Sequence, residues 1–381
     1  MIKKAIVLAA GEGTRLRPLT LSRPKHLIPL AGKPIIYWIL KSLSNSGIKE
    51  VGVIVNYKAD MIKAYIEQLD FRLRYNFIYQ RELNGTAGAL EVAKDCIDFK
   101  NFLLIYGDVI TDTKNIVKMI DIFESKKLDG VVLGVRSSAP WEYGVIKMNN
   151  DGFMLEIIEK PPRGKEPSDV INGGVYVFTP KIIELLDSVK PSIRGEKELT
   201  DALQMLARRG KVYVYRAFKE NWFDVGRPWD LLDANAYLLS RLGQKLSRKI
   251  SNKRIIIRSP VYLGKNIEIG EGSIIGPNVA IYDNVKIGKF SEISNSIIMQ
   301  GTKIGSNVSI KHSIVGENVV IGDNVRFLYT RGDKKTIKMY IKGREVDSGR
   351  FELGSVIGDR TRISSNCVLK AGTIIFNDII V

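Results

Sequence analysis

The residues best suited to chemistry open the chain. Leu8-Ala9-Ala10-Gly11-Glu12-Gly13-Thr14-Arg15-Leu16-Arg17-Pro18 is followed closely by Arg23-Pro24-Lys25. Glycines at 11 and 13 let the backbone approach a phosphate chain and donate N–H groups to it. Arg15 adds a fork of charged donors, and Lys25 a mobile point charge. Together they suit a triphosphate. The string is not a Walker loop, because no Gly-Lys-Ser/Thr ends it, and it lacks the third glycine of a dinucleotide fingerprint. Two carboxylates stand out further on: Asp108, after an apolar run and Gly107, and Asp224, between Trp222-Phe223 and Val225-Gly226. Two carboxylates with a triphosphate between them can hold one Mg²⁺, which prefers carboxylate and phosphate oxygens.

Such residues need strands that end where they lie. From residue 1 to about 230, apolar strand-like runs at 5–10, 51–55, 77–79 and 102–106 alternate with helix-like stretches at 34–44, at 59–69 and from Thr86. This alternation predicts an α/β, Rossmann-like domain with a mostly parallel sheet and helices on both faces. Asp108 falls at a strand's carboxyl end, where open α/β sheets bind ligands. A polar, helix-like connector over 231–252 separates this domain (1–230) from a second one (253–381) with another rhythm. Leu263, Ile269, Ile275, Ile281, Ile287 and Ile293 recur every six positions, and Ile357, Ile363, Leu369 and Ile375 resume the series. Between them, at Ile304, Ile310, Val315 and Ile321, the rhythm slips by single residues. Hexads of this kind predict an all-β parallel β-helix, each aliphatic residue stacking on the coil below. Their absence between about Phe327 and Leu353 marks an inserted loop or arm.

The opening string resembles the signature of the sugar-1-phosphate nucleotidylyltransferases, which join a sugar phosphate to a nucleoside triphosphate and release pyrophosphate. The residues from Gln80 to Ala89, Tyr106-Gly107-Asp108, Tyr143-Gly144-Val145, Glu159-Lys160-Pro161, 171–176 and Trp222-Phe223-Asp224-Val225-Gly226 resemble further motifs in the family's order. The hexads resemble the left-handed β-helix that some members carry. The resemblance implies catalytic roles for Arg15 and Lys25, and metal ligation by Asp108 and Asp224. It implies nucleotide contacts at Leu8, Ala10, Gly11, Gly13, Thr14, Gln80, Gly85 and Thr86. Gln80 and Gly85 match the pair that reads the base in uridylyl- and thymidylyltransferases; a glutamine amide offers a donor and an acceptor side by side, which suits uracil or thymine and leaves adenine open. Glu159, Lys160, Asn172 and Gly144 are the implied sugar-phosphate residues. The prolines after Lys160 suggest that Glu159-Lys160 lies on a rigid loop. Mg²⁺ is the implied cofactor, a nucleoside triphosphate and a sugar 1-phosphate the implied substrates, and a trimer built through the β-helix the implied assembly.

Some relatives of this architecture also acetylate an amino-sugar phosphate in the β-helix. The chain shares Ile341-Lys342-Gly343 and Ser348-Gly349-Arg350 with them. In Lys311-His312-Ser313-Ile314-Val315-Gly316, however, the histidine stands one place later than expected, and isoleucine replaces a tyrosine. A structural or regulatory β-helix is therefore the expected reading. Other readings of the chain are a mannose-1-phosphate guanylyltransferase and a nucleotide-sensing subunit. A formal charge of +17 suits a polyanionic partner, but the basic residues are dispersed with no nucleic-acid signature, and neither nucleic acid nor membrane is expected. Cys96 and Cys367 are too few for a disulfide framework, and with two histidines they make no structural zinc site. Free thiols and a cytoplasmic location are expected.

Overall fold

The computed structural model describes residues 2–192, 195–243 and 254–381. The chain divides into two compact units, Met1–Glu12 with Ile36–Asp224, and Gly13–Ile35 with Val225–Val381. The first is an α/β unit. Its centre is the strand Lys4–Ala9, parallel to Glu50–Val55 on one side and to Phe102–Tyr106 on the other. Arg74–Tyr79 continues the parallel set beyond Glu50–Val55. Val170–Phe178 then joins Phe102–Tyr106 antiparallel, and it also pairs with Gly130–Arg136 and Gly144–Met148.

The central strands are aliphatic on both faces because helices cover the sheet, and Ile6, Val7, Leu103 and Leu104 are fully buried. Arg74–Tyr79 starts three residues earlier than its apolar part suggests: it is the sheet's edge, so its Arg74 and Asn76 side chains stay exposed. The helix Thr113–Lys126 shows how local sequence sets an element. Asp112 caps it by accepting from the Lys114 N–H, and Ile116, Met119, Ile120 and Phe123 make its buried stripe.

The second unit carries the hexads, folded into a parallel β-helix of three stacked sheets, consistent with the left-handed class. Leu263, Ile281, Ile298, Val315, Ile357 and Ile375 stack in one sheet; Ile275, Ile293, Ile310, Phe327 and Leu369 lie in the second and Ile269, Ile287, Ile304, Ile321 and Ile363 in the third. The slips seen in the sequence are absorbed by coils of seventeen rather than eighteen residues, as between Ile293 and Ile310. Phe327 pairs directly with Leu369 and Val315 with Ile357, so the residues between Phe327 and Leu353 are inserted within one coil; they contain the antiparallel hairpin of Lys338–Ile341 and Arg344–Asp347. A helix runs from Pro228 to Leu242, starting before the expected connector and covering its first half, with proline in its first turn; residues 244–252 of that connector lie outside the described residues. Cys96 and Cys367 are free and partly buried. Among the described residues, no helix is long and apolar enough to cross a membrane.

Candidate active site

The two candidate carboxylates meet at one short ladder, Asp224 within it and Asp108 in the turn that leads into it. After Tyr106 the chain turns, with the Gly107 N–H donating to the Leu8 carbonyl at 2.8 Å. It then forms the strand Val109–Thr111, which the sequence reading did not anticipate. This strand pairs antiparallel with Trp222–Asp224, and Asp224 faces Val109. Asp108 and Asp224 are thus brought within one register step, although 116 positions separate them. Trp222 locks the ladder by donating Nε1–H to the Gly173 carbonyl at 2.8 Å. The donor set fits Mg²⁺, which is held by one or two carboxylates and otherwise by phosphates and water. Among the described residues no group of three or more His, Cys, Asp or Glu side chains forms a protein-only metal cage.

A second cluster surrounds Gln80, which is 3% exposed. Its Nε2 donates to Asn84 Oδ1 at 3.2 Å and to the Gly85 carbonyl at 3.5 Å. Nε2 is thus turned towards two acceptors of the protein, which leaves Oε1 for a ligand. Gly85 adopts φ +101°, and a β-carbon there would collide with the Lys197 carbonyl oxygen, so only glycine fits. The turn is tied down by Lys197 N–H donating to Asn84 O at 2.8 Å and Ala87 N–H donating to Lys197 O at 2.9 Å. Thr86 opens the helix Thr86–Glu91, and its hydroxyl accepts from the Leu199 N–H at 2.9 Å.

The implied sugar residues form a third cluster. Glu159 ends the strand Met154–Glu159 directly opposite Gly144, so it stands on a strand rather than on the expected loop. A β-carbon on Gly144 would lie 3.0 Å from Glu159 Oε2 and 3.5 Å from the Asn172 β-carbon, so the missing side chain leaves room between them. Asn172 Nδ2 donates to the Tyr176 hydroxyl at 2.6 Å, and that hydroxyl donates to Tyr106 at 3.1 Å. Burial, then the neighbouring Tyr176 and the Glu159 charge, hold the Tyr106 hydroxyl well above the usual tyrosine range; burial likewise raises Tyr176. Both phenols are therefore neutral hydrogen-bonding groups. The neighbouring Thr86 hydroxyl acts in the opposite direction on Tyr106. Lys160, at φ +47°, turns away from the strand and pairs with Glu159 at 3.6 Å.

The basic loop belongs to the second unit. Gly13, at φ +70°, precedes the turn Thr14–Leu16, and a β-carbon on it would lie 2.8 Å from the Lys25 β-carbon. The glycine thus admits both the left-handed turn and the close passage of Lys25. Thr20 donates its hydroxyl to the Gly13 carbonyl at 3.0 Å. The Arg15 guanidinium lies against Gly226, where a β-carbon would approach Nη2 to 3.1 Å. Leu8, Ala10 and Gly11 lead into this loop from the end of the central strand Lys4–Ala9.

Asn84, Tyr106 and Tyr176 were not singled out from the sequence. All three lie within motifs quoted above, but their roles rest on partners that only the folded chain brings together. His312 takes its place in a corner ladder. Asn278, Asn295 and His312 occupy equivalent left-handed positions at φ 57°, 45° and 48°. Asn278 Nδ2 donates to Asn295 Oδ1 at 2.9 Å, and Asn295 Nδ2 lies 3.3 Å from His312 Nε2. The imidazole stacks on Tyr329 with its Nε2 3.4 Å from Glu352.

Residues 4–241 match the family model described as Nucleotidyl transferase, and residues 257–375 match the GMPPB C-terminal domain. The chain is 35% identical to the bifunctional protein GlmU of Methanocaldococcus jannaschii, over 98% of this chain and 95% of that protein. It is also 35% identical to a bifunctional sugar-1-phosphate nucleotidylyltransferase/acetyltransferase of Sulfurisphaera tokodaii, over 97% and 93%. Among solved structures it is similar to a candidate glucose-1-phosphate thymidylyltransferase from Bacillus anthracis, with 28% identity and a TM-score of 0.56, covering 64% of this chain and 96% of that one.

Proposed function

The chain belongs to the nucleotidyl transferase family, and we propose that it joins a sugar 1-phosphate to UTP or dTTP, releasing pyrophosphate. Glucose 1-phosphate is the favoured sugar. In this reading the transferase domain spans 1–230, the connector 231–252 and the β-helix 253–381. The observation that carries the choice of base is the Gln80 amide, whose Nε2 faces Asn84 Oδ1 and the Gly85 carbonyl. Its Oε1 accepts from the ring N–H that uracil and thymine carry, whereas the ring nitrogen on the corresponding adenine edge is an acceptor and leaves Oε1 only the exocyclic amino group.

In the reaction, an oxygen of the sugar phosphate, already ionised at neutral pH, attacks the α-phosphorus in line. The bond from that phosphorus to the bridging oxygen breaks, and pyrophosphate leaves with the electron pair. No general base is required. Positioning and charge neutralisation provide the catalysis. Arg15, Lys25 and the backbone N–H groups of Gly11, Gly13 and Thr14 hold the triphosphate, with Leu8, Ala10 and Thr86 as further nucleotide contacts. Asn172, Gly144 and Glu159 hold the sugar hydroxyls and Lys160 its phosphate. Asp108 and Asp224 would hold Mg²⁺, which supplies further neutralisation of phosphate charge.

Pyrophosphate release measured over a matrix of nucleoside triphosphates and sugar phosphates tests the proposal. UTP or dTTP with glucose 1-phosphate gives the highest kcat/KM, and Asp108→Asn and Lys25→Ala each lower turnover by about 100-fold or more. Near-normal rates from both variants would overturn the site assignment. The relatives' names suggest acetyl transfer as a second reading. The His312 ladder gives that residue a structural role instead, and incubation with acetyl-CoA and glucosamine 1-phosphate separates the two: rapid CoA release would establish the acetyl transfer.

A further inference from the structure

Several coils of the β-helix repeat one corner, in which a polar side chain accepts the backbone N–H of the residue after a glycine in the neighbouring coil. Asp283 Oδ1 accepts from Lys265 N at 2.8 Å, Asp323 Oδ1 from Ser306 N at 2.7 Å and Asp359 Oδ1 from Glu317 N at 2.8 Å. The three corners differ in what the second carboxylate oxygen meets. Asp323 is exposed and Asp283 is half-buried, whereas Asp359 is 1% exposed.

What covers Asp359 is the basic loop. Arg23, itself 6% exposed, places Nη2 2.7 Å from Asp359 Oδ2 and 3.1 Å from Glu317 Oε2. Its Nη1 lies 3.0 Å from Met299 Sδ, and the Ser22 hydroxyl donates to the same Asp359 oxygen. Further along, the Ala31 N–H donates to Asn235 Oδ1 at 2.9 Å and the Gly32 N–H to the Tyr282 hydroxyl at 3.1 Å. The segment between Gly13 and Ile35 is therefore fastened to the β-helix and to the helix Pro228–Leu242. Its charged anchor stands two residues before Lys25.

A buried ion pair adds little net stability, because desolvation of both charges offsets their attraction. It does fix geometry: with one partner removed, the remaining buried charge must find water or another partner, and the chain carrying it must move. We propose that Asp359 is a positioning residue for nucleotidyl transfer, holding Arg23, and through it the Lys25 turn, in the geometry that receives the triphosphate. The proposal rests on the reading of Lys25 as a triphosphate ligand, and it makes the β-helix part of the catalytic apparatus rather than only a scaffold.

Asp359→Asn is the informative variant in the full-length protein. Asparagine retains Oδ1 for the Glu317 N–H and replaces Oδ2 with a donor facing the Arg23 guanidinium. Asp323→Asn makes the same change at a corner that the loop does not reach. For Asp359→Asn, kcat/KM for the nucleoside triphosphate falls by about tenfold or more, the size expected when a buried charged hydrogen bond is lost. Hydrogen exchange rises over residues 13–28 but not over the coils from 256 to 327. Asp323→Asn behaves as wild type in both. The Arg23→Met, Asp359→Asn double variant, which removes the buried guanidinium as well as its partner's charge, shows the same loss of turnover.

Wild-type KM, kcat and loop exchange in Asp359→Asn would overturn the proposal, as would exchange rising equally throughout the β-helix or equal losses in Asp323→Asn. The underlying reading fails differently. A wild-type protein releasing no pyrophosphate with any nucleotide and sugar phosphate removes the transferase assignment. The exchange arm would then still decide whether Asp359 orders the loop.

Discussion

At the scale of single residues, the base-reading corner shows how a side chain acquires a direction. An isolated glutamine amide presents a donor and an acceptor equally, and so leaves uracil, thymine and adenine open. With Nε2 held by Asn84 and by the Gly85 carbonyl, the same amide becomes an acceptor for the ligand. Asn84→Ala removes one of the two holds and frees the amide to turn over. Discrimination between UTP and ATP, measured as the ratio of kcat/KM values, then falls by about tenfold, the effect of one hydrogen bond of roughly 1.4 kcal/mol. The proposed orientation is wrong if the ratio stays unchanged. Gln80 and Gly85 were legible from their spacing. Asn84 was not, because its role depends on a turn that Lys197 closes from more than a hundred residues away.

At the scale of elements, the β-helix corner at His312 carries a titratable group where its neighbours carry asparagine. Burial lowers the imidazole pKa from its ordinary 6.5; Glu352 opposes this, and Arg350 and Lys311 add to it. The unfolded chain therefore binds a proton more readily than the folded one. Stability from this group is fully present above about 6.5 and is lost as pH falls towards the depressed folded value. His312→Asn continues the ladder with a residue that tolerates the left-handed corner and binds no proton. Its melting temperature matches wild type at pH 8 and falls less than wild type between pH 6.5 and 5. Parallel curves for the two proteins would remove His312 from the acid response. The element itself was plain in the sequence, since each hexad places one aliphatic residue inward. The corner partners were not, because coils seventeen residues apart meet only after the chain has wound.

At the scale of the whole molecule, the division of the chain by contacts differs from its division by sequence rhythm. Residues 13–35 are grouped with the β-helix, although they continue directly from the first strand of the α/β unit. The Arg23–Asp359 pair and the Gly32–Tyr282 and Ala31–Asn235 bonds are the physical content of that grouping. We further propose that the β-helix assembles the protein as a trimer. Light scattering then gives three times the chain mass of 42.7 kDa; a mass of one or two chains overturns this assembly.

Sequence alone marked a triphosphate loop and both architectures, because each is written in short-range spacing: two glycines and the basic residues that follow a strand, and an aliphatic residue every sixth position; the reaction class came from the resemblance of its motifs to a known family. It also marked Asp108 and Asp224, without showing that a short antiparallel ladder would bring them together. Only the tertiary structure decided which partners complete these residues. Gly322-Asp323 and Gly358-Asp359 read alike in their coils, yet one aspartate is exposed while the other is buried beneath Arg23, 336 residues earlier. The physical reason is that a hydrogen-bonding partner is chosen by packing between distant segments, whereas the periodicities that reveal folds arise from each segment's own burial.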